Sequence, residues 1–298
     1  MNISTLQFYK EIVESMSISK VAQNGHISQS ALSQNIQKLE SELGYQLLNR
    51  SNKGVYPTEM GKIVYKYSGT IIRIFQKMED ELESRKQKLE NVRINGYPSF
   101  INYSLPCILY KIKKKFPEYK FELHSKSVDE TFNDLINEVT DIAFLGHQPD
   151  DDRLISNYIG NEKIVLAASI KSRIPDVIKV EDLLKYDMII LDDSFPINNF
   201  LKAKLHHQNF GMEDLKVIFE VDSIGAAKSS INNNNCLSFL PYMSVKKELY
   251  EKSYKIVEIE DFDLDLEIYL SYKKNSNHME ALKPIIDYFI KSGTTEFC

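Results

Sequence analysis

Short, uncharged hydrogen-bonding side chains recur along one side of a helix that the sequence predicts between residues 29 and 44. The set consists of Gln29, Ser30, Ser33, Gln34 and Gln37. A glutamine amide can bond adenine through two hydrogen bonds in the major groove, and serine hydroxyls contact base edges or phosphates. We therefore interpret this side as a surface that reads duplex DNA. The alternative is a solvated helix face that carries no charge.

The same helix has an apolar stripe that positions its polar side. The apolar residues three or four positions apart are Leu32, Ile36, Leu39 and Leu43. Ser28 is the expected N-cap and Gly44 the expected end. Upstream, an amphipathic helix is predicted over residues 4–16, and Ser17 caps a short helix that Gly25 ends. Two short helices joined by a tight turn predict a helix-turn-helix.

A β-ribbon turn is predicted over residues 51–56, directly after this pair of helices. Arg50 and Lys53 would place positive charge beside the groove, where they could hold phosphates. The alternative for Lys53 is a solvated turn residue. Pro57 and Thr58 then end the strand and cap the next helix.

That next helix is predicted to run to about Leu89. Apolar residues at alternating steps of four and three form a heptad seam: Met60, Val64, Tyr67, Ile71, Ile74 and Met78. A helix this long and apolar on one side needs a partner. We expect a dimer helix, and the alternative is packing against the helix's own domain.

Charge is unevenly distributed along the 298 residues, whose formal net charge is −5. Residues 1–78 hold nine Lys and Arg against five Asp and Glu, whereas the remainder holds 28 against 37. A basic head before an acidic body fits a DNA-reading N-terminus. The start lacks the pattern of a signal peptide, and no apolar run approaches the roughly 20 residues that span a bilayer. We therefore expect a cytoplasmic protein with no membrane partner.

Catalytic chemistry has little support in the sequence. The histidine pair His206-His207 points in two directions about 100° apart on a helix, which is unsuitable for one metal ion. The three cysteines are widely spaced and predict reduced thiols. A redox sensor using Cys107 and Cys236 is an alternative, and an enzyme of unknown class is another. We expect no catalytic residue, metal or cofactor.

Strands and helices alternate after about residue 91, which suggests a parallel α/β sheet. Two successive α/β units with a returning tail suggest two lobes around a cleft. The predicted fold class is α/β, with an N-terminal winged helix-turn-helix and a long linker helix before a two-lobed domain.

The chain resembles the LysR-type transcriptional regulators over essentially its full length. The resemblance is strongest in "SISKVAQNGHISQSALSQNIQKLESELGYQLLNR" followed by "PTEMG". It implies groove contacts by Gln29, Ser33 and Gln34, a cap next to a phosphate at Ser28, and backbone contacts by Arg50 and Lys53. The chain departs from the family pattern at Val21-Ala22, at Ser30, where proline is usual, and at Gln34, where a basic residue is frequent. Losing a cation at Gln34 implies weaker salt dependence of DNA binding.

The resemblance also implies a domain built like a periplasmic solute-binding protein, with crossovers near 161–165 and 264–268. The expected domains are 1–58 for DNA binding, 59–89 for the linker helix and 90–298 for effector binding. Lobe I would comprise 90–162 and 267–298, and lobe II 163–266.

A small molecule, favoured to be an anionic metabolite, would bind between the lobes at strand ends and helix starts. Ser99 would cap the first helix and the N–H groups of Phe100 and Ile101 would receive the anion. The expected effector residues are Ser99, Phe100, Ile101, Ser127, Gly146, His147, Ser194 and Ser223. For each serine, the alternative is a helix cap without a ligand.

The function implied by the resemblance is effector-controlled DNA binding without catalysis. A homodimer or homotetramer would bind an imperfect inverted repeat in a promoter.

Overall fold

The computed structural model describes residues 2–51, 54–87, 90–193, 195–233, 235–276 and 278–293. The chain divides into two compact units, Met1–Gln87 and Lys88–Cys298. Each unit has its own buried core.

The N-terminal unit is a winged helix-turn-helix followed by a long helix. Its elements are α1 (Ile3–Ser15), α2 (Ile18–Asn24), α3 (Gln29–Leu43), β1 (Leu48–Ser51), β2 (Gly54–Pro57) and α4 (Glu59–Gln87). The predicted caps are confirmed: the N–H of Lys20 donates to Ser17 Oγ at 3.2 Å, and that of Ala31 to Ser28 Oγ at 3.1 Å. The strands β1 and β2 pair antiparallel as the wing.

The core of this unit is built from the apolar faces of the first three helices. It includes Leu6, Tyr9, Ile12, Val21, Leu32, Ile36, Leu39 and Leu47. Two residues predicted to lie on these faces are exposed instead. Met16 lies beyond the end of α1 with φ 55°, and Leu43 lies in the last turn of α3. Helix ends run past the core, so the last apolar residue of a stripe is left uncovered.

Gly61 allows α4 to approach the rest of the unit closely. A Cβ at this position would lie 2.1 Å from the carbonyl oxygen of Leu47 and 2.7 Å from Tyr9 Oη. The Tyr9 hydroxyl also donates to the Gly61 carbonyl at 2.9 Å. We expect Gly61→Ala to lower the free energy of unfolding by about 3 kcal/mol, because the clash is with backbone that must move. Urea unfolding followed by circular dichroism measures this loss.

Gly69→Ala on the same helix is the matched control. Its Cβ would meet only the flexible end of Arg73 at 3.2 Å and the Lys10 side chain at 3.9 Å. Alanine also favours the helix by about 1 kcal/mol over glycine, so this variant should be at least as stable as the parent. Equal destabilisation by both substitutions would contradict the close approach at Gly61.

Helix α4 divides its apolar residues between the core and the surface. Val64, which was predicted on the dimer seam, packs against the core, and Ile72 is buried in it. The cause is α1, which packs along α4 and covers this side. The exposed apolar residues are Met60, Ile63, Tyr67, Ile71, Ile74, Met78 and Leu82, which we call the α4 stripe. Their steps of three, four and four repeat every 11 residues rather than every seven.

The C-terminal unit alternates strands and helices. Its first half comprises β3 (Glu90–Gly96), a π-helical turn (Phe100–Ser104), α5 (Leu105–Lys115), β4 (Tyr119–Ser125), α6 (Val128–Ile136), β5 (Ile142–Leu145) and β6 (Leu154–Ser169). Its second half comprises β7 (Val177–Ile178), β8 (Asp187–Leu191), α7 (Ile197–His207), β9 (Val217–Val221), α8 (Ile224–Asn233), β10 (Cys236–Pro241), α9 (Tyr242–Tyr250), β11 (Tyr254–Ile259), β12 (Leu264–Lys273) and α10 (Met279–Ser292). Short 3₁₀ turns lie at Val180–Lys185 and Met212–Asp214.

The sheet combines the expected parallel pairs with antiparallel ones and is therefore mixed. Its order is β4-β3-β5-β12-β6-β10-β8-β9, with β11 also pairing with β6. Parallel pairing joins β3 to β4 and β5, and β8 to β9 and β10. Strand β6 runs antiparallel to β10, β11 and β12.

Strand β6 joins two lobes. Over Leu154–Ile164 it pairs with β12, and over Ile164–Ala168 it pairs with β10. One core gathers residues of β3, β5, α5 and α10, and we call this part lobe I. The other gathers residues of β8, β10, α7 and α8, and we call it lobe II. The two lobes therefore share continuous strands.

Candidate functional site

Helix α3 presents its polar face to solvent while its leucine stripe is buried. Gln29, Ser30, Gln34 and Gln37 are exposed, and Ser33 is half-buried. These residues lie on one side of a single helix, so they can enter one groove together. The structure thus brings together the whole predicted set on α3.

Some side chains of this face form hydrogen bonds within the protein, and others do not. The hydroxyls of Ser28 and Ser30 share a hydrogen bond of 3.0 Å, and Ser19 Oγ donates to Gln29 Oε1 at 3.0 Å. Within the described ranges, the amides of Gln34 and Gln37 have no hydrogen bond. Gln34 and Gln37 can therefore bond a base without breaking a contact inside the protein.

Glu40 anchors the wing to α3, a role that the sequence analysis missed. Its Oε1 accepts the backbone N–H groups of Leu47 at 2.7 Å and Leu48 at 3.1 Å. The available signal was an acidic residue at the end of α3 followed by two buried leucines. Arg50 lies exposed on β1. Lys53 lies outside the described residues.

The predicted effector residues lie on loops at strand ends of the two lobes. Ser99, Ser127 and Gly146-His147 follow β3, β4 and β5, three neighbouring parallel strands whose carboxyl ends share one edge. Ser223 follows β9 in lobe II. Ser194 lies outside the described residues.

Two of these serines are helix caps. Ser127 forms a capping box with Glu130 at the start of α6. Ser223 Oγ accepts the N–H of Ala226 at 3.3 Å at the start of α8. Both therefore have the structural role that the sequence analysis kept as an alternative.

Gly146 marks a contact between the lobes. It is buried, and a Cβ there would lie 3.5 Å from Pro196 Cβ of lobe II. His147 is exposed beside it.

The predicted cap at Ser99 is wrong. Ser99 has helical backbone angles and makes no side-chain cap; its hydroxyl instead donates to Glu162 Oε2 at 2.8 Å. The N–H of Ile101 is not free, because it donates to the Tyr97 carbonyl at 3.2 Å. Phe100 is fully buried. The Ser99 hydroxyl, which was expected to cap the helix, is thus bonded to a carboxyl group of the chain itself.

Glu162 is a buried acid that the sequence analysis missed. Its Oε1 also accepts the Ser104 hydroxyl at 3.3 Å. Burial raises the pKa of its carboxyl to about 7, against the smaller lowering effect of the two serine hydroxyls. The Tyr97 hydroxyl is buried without a hydrogen-bond partner among the described residues. Burial, and then the charge of Glu162, raise the pKa of Tyr97 well above its ordinary value.

The raised pKa of Glu162 makes stability fall as the pH rises. The unfolded carboxyl ionises near pH 4.5, whereas the folded one keeps its proton until about pH 7. Between these values the unfolded state is increasingly favoured, and the penalty reaches about 3 kcal/mol above pH 7. We expect Glu162→Gln to gain about this amount in unfolding free energy over the parent between pH 5 and pH 8.

Urea unfolding at several pH values measures this gain. Glu220→Gln, at an exposed side chain, is the control and should show no such change. A constant difference between Glu162→Gln and the parent across this range would contradict the buried, unpaired state of Glu162.

The cysteines and histidines do not form a common site. Cys107 takes part in a disulfide, so the prediction that it is reduced is wrong, and Cys236 is a free, buried thiol. The two are therefore not joined to each other. Burial raises the pKa of the Cys236 thiol, which disfavours the reactive thiolate. His206 and His207 lie exposed in the last turn of α7.

Neither a metal site nor a membrane-spanning helix is found in the described part of the chain. It contains no group of three or more His, Cys, Asp or Glu side chains arranged to hold a metal ion. None of its helices is long and apolar enough to cross a membrane.

Comparisons with known proteins agree with this architecture. Residues 3–62 match the family model of the bacterial regulatory helix-turn-helix proteins of the lysR family. Residues 85–293 match that of the LysR substrate binding domain. Together the two models cover most of the chain.

Relatives and solved structures extend this match. A probable RuBisCO transcriptional regulator of Gracilaria tenuistipitata var. liui is 27% identical over 83% of this chain and 82% of its own length. A hydrogen peroxide-inducible genes activator of Haemophilus influenzae is 24% identical over 98% of each chain. The crystal structure of CbnR, a LysR family transcriptional regulator, superposes with a TM-score of 0.74 at 17% identity and covers 100% of both chains. The chain belongs to the LysR family of transcriptional regulators, with a DNA-binding winged helix-turn-helix and a two-lobed effector-binding domain.

Proposed function

We propose that this regulator binds an imperfect inverted repeat in a promoter by placing the polar face of α3 in the major groove. The observation that carries the proposal is that face itself, exposed and uncharged, on a helix whose other side is buried. The protein acts by binding rather than by catalysis. It works in the cytoplasm, where its DNA is.

Each polar residue of α3 has a proposed role in the groove. Gln34 and Gln37 bond base edges, and the Gln29 amide nitrogen remains available for a base while its oxygen is held by Ser19. Ser30 and Ser33 contact base edges or phosphates. The remaining proposed contacts are with phosphates and are made by Ser28, Arg50 and Lys53.

Dimerisation through the α4 stripe presents two such helices. Seven large apolar side chains are 37–60% exposed along 23 residues of one helix. A surface of this kind marks an interaction site, and its 11-residue repeat suits a straight or slightly right-handed pairing of helices. Met60, Tyr67, Ile71, Ile74 and Met78 of the predicted seam remain in this proposal, and Val64 leaves it.

A small effector binding between the lobes controls this dimer. The loops after β3, β4, β5, β8 and β9 supply polar groups at strand ends, where ligands of α/β sheets bind. The lobes share β6 and β12, so a ligand that binds one interlobe angle better shifts the population toward it. A change in the interlobe angle alters the distance between the two DNA-binding units of the dimer, and thereby its fit to the two half-sites.

DNase footprinting on the region upstream of the protein's own gene tests the proposal. We expect protection of two half-sites whose centres are one helical turn, or a whole number of turns, apart. Protection no stronger than that of an unrelated fragment at equal salt would contradict it.

A further inference from the structure

Glu162 lies where β6 passes between the lobes. Its neighbours up to Ile164 pair with β12, and Ile164 begins the pairing with β10 of lobe II. Its carboxylate contacts Ser99 and Ser104 at the start of the helix that follows β3. This acid therefore lies on the strand that the two lobes share, in contact with Ser99 of the expected effector site.

No cation of the described residues neutralises Glu162. It is 4% exposed, and its hydrogen bonds come from two neutral hydroxyls. A buried carboxylate without a counter-ion is costly, and a cation supplied from outside would remove the cost. The nearby Tyr97 hydroxyl is also buried and unpaired, so it is available to accept a hydrogen bond.

Groups that would attract an anion are already in use. Ser99 Oγ and the Ile101 N–H have partners inside the protein. In lobe II, Lys228 is 6.0 Å from the ring of Tyr103 but is paired with Glu248 at 2.5 Å.

The loops at the strand ends add negative charge. Asp192 and Asp193 follow β8 and Asp222 follows β9, and the side chains of Asp193 and Asp222 are exposed. The basic residues of the loops that end the parallel strands are Lys126 after β4 and His147 after β5. A site with more acidic than basic side chains concentrates cationic ligands.

We propose that the effector is a small organic cation, an ammonium compound, and that Glu162 is its counter-ion. This inference rests on the proposed function, because it concerns the effector that binds between the lobes. The ammonium group donates to the Glu162 carboxylate and to the Tyr97 hydroxyl oxygen, and the strand-end aspartates attract it to the cleft. A cationic effector thus replaces the anionic metabolite that the sequence analysis expected.

A matched series of four-carbon compounds tests the charge of the ligand. Butylammonium, 1,4-diammoniobutane, butyrate and 1-butanol are titrated into the full chain at pH 8 and constant ionic strength, and binding is followed by calorimetry. We expect at least one of the two ammonium compounds to bind at least tenfold more tightly than butyrate and 1-butanol. Preference for butyrate, equal binding of 1-butanol, or no binding of either ammonium compound would overturn the proposal.

Variants test the role of Glu162. Glu162→Gln should lose at least tenfold in ammonium affinity, Glu162→Asp should keep part of it, and Glu220→Gln at an exposed position should keep all of it. Circular dichroism verifies that each variant is folded. If Glu162→Gln does not fold, the ammonium affinity of Glu162→Asp is measured in its place. Unchanged ammonium binding in Glu162→Gln, or in Glu162→Asp where that variant serves instead, overturns the assignment. Footprinting without ligand reports the proposed function separately, since a protein that protects its promoter but rejects ammonium compounds contradicts only this inference.

Discussion

Replacing Ile71 with Asp is expected to convert the protein to a monomer and to weaken binding to its inverted repeat by about 100-fold or more. Ile71 lies in the middle of the α4 stripe, and Asp would place a carboxylate in the apolar dimer interface without a partner. Once the dimer is lost, each DNA-binding unit must bind its half-site alone. Sedimentation velocity measures the oligomer, and gel-shift titration measures the affinity for DNA.

Gln76→Asp is the matched control for Ile71→Asp. Gln76 is exposed on α4, about 140° around the helix from Ile71, so the same charge is placed away from the stripe. This variant should remain an oligomer with the DNA affinity of the parent. A dimeric Ile71→Asp protein, or an equal loss in both variants, would show that the stripe is not the interface.

Gln34→Ala is expected to weaken binding to the cognate repeat by about 30-fold or more, because a bidentate base contact is worth about 1–3 kcal/mol and a dimer loses two. The loss should be confined to cognate DNA and should relax selectivity at one base pair in each half-site. The dependence of affinity on salt should stay unchanged, since Gln34 carries no charge. Arg50→Ala should instead reduce the salt slope by about one for each half-site.

Asn35→Ala is the control for Gln34→Ala on the same helix. Asn35 is exposed and lies on the other flank of α3, about 100° from Gln34. Gel shifts with cognate and scrambled fragments at several salt concentrations separate the two effects. If both variants lose affinity equally, or if Gln34→Ala weakens binding to every sequence alike, Gln34 does not read bases.

Local sequence patterns were sufficient to predict the helix caps and most of the buried helix faces of the N-terminal unit. Ser17 and Ser28 cap their helices as predicted, and Leu32, Ile36 and Leu39 form the buried stripe of α3. These features depend on neighbours within one or two helical turns, whose spacing follows directly from 3.6 residues per turn. The family resemblance, carried by spacings in the same region, also led to the correct two-lobed architecture.

Contacts between residues distant in the chain decided the rest. The apolar seam of α4 could be counted from the sequence, but only the packing of α1 shows that Val64 turns to the core and Ile63 to the surface. Glu162 and Ser99 are 63 positions apart, so no periodic pattern linked the acid of one strand to the hydroxyl of another loop.

The sequence by itself determined which helix faces are apolar, where helices begin and that the chain carries a helix-turn-helix domain. The tertiary structure alone decided what covers each apolar face and which polar group meets Glu162. The physical reason is that periodicity records how side chains are arranged around their own helix or strand. Burial, ion pairing and the resulting pKa depend on which distant segment folds against them.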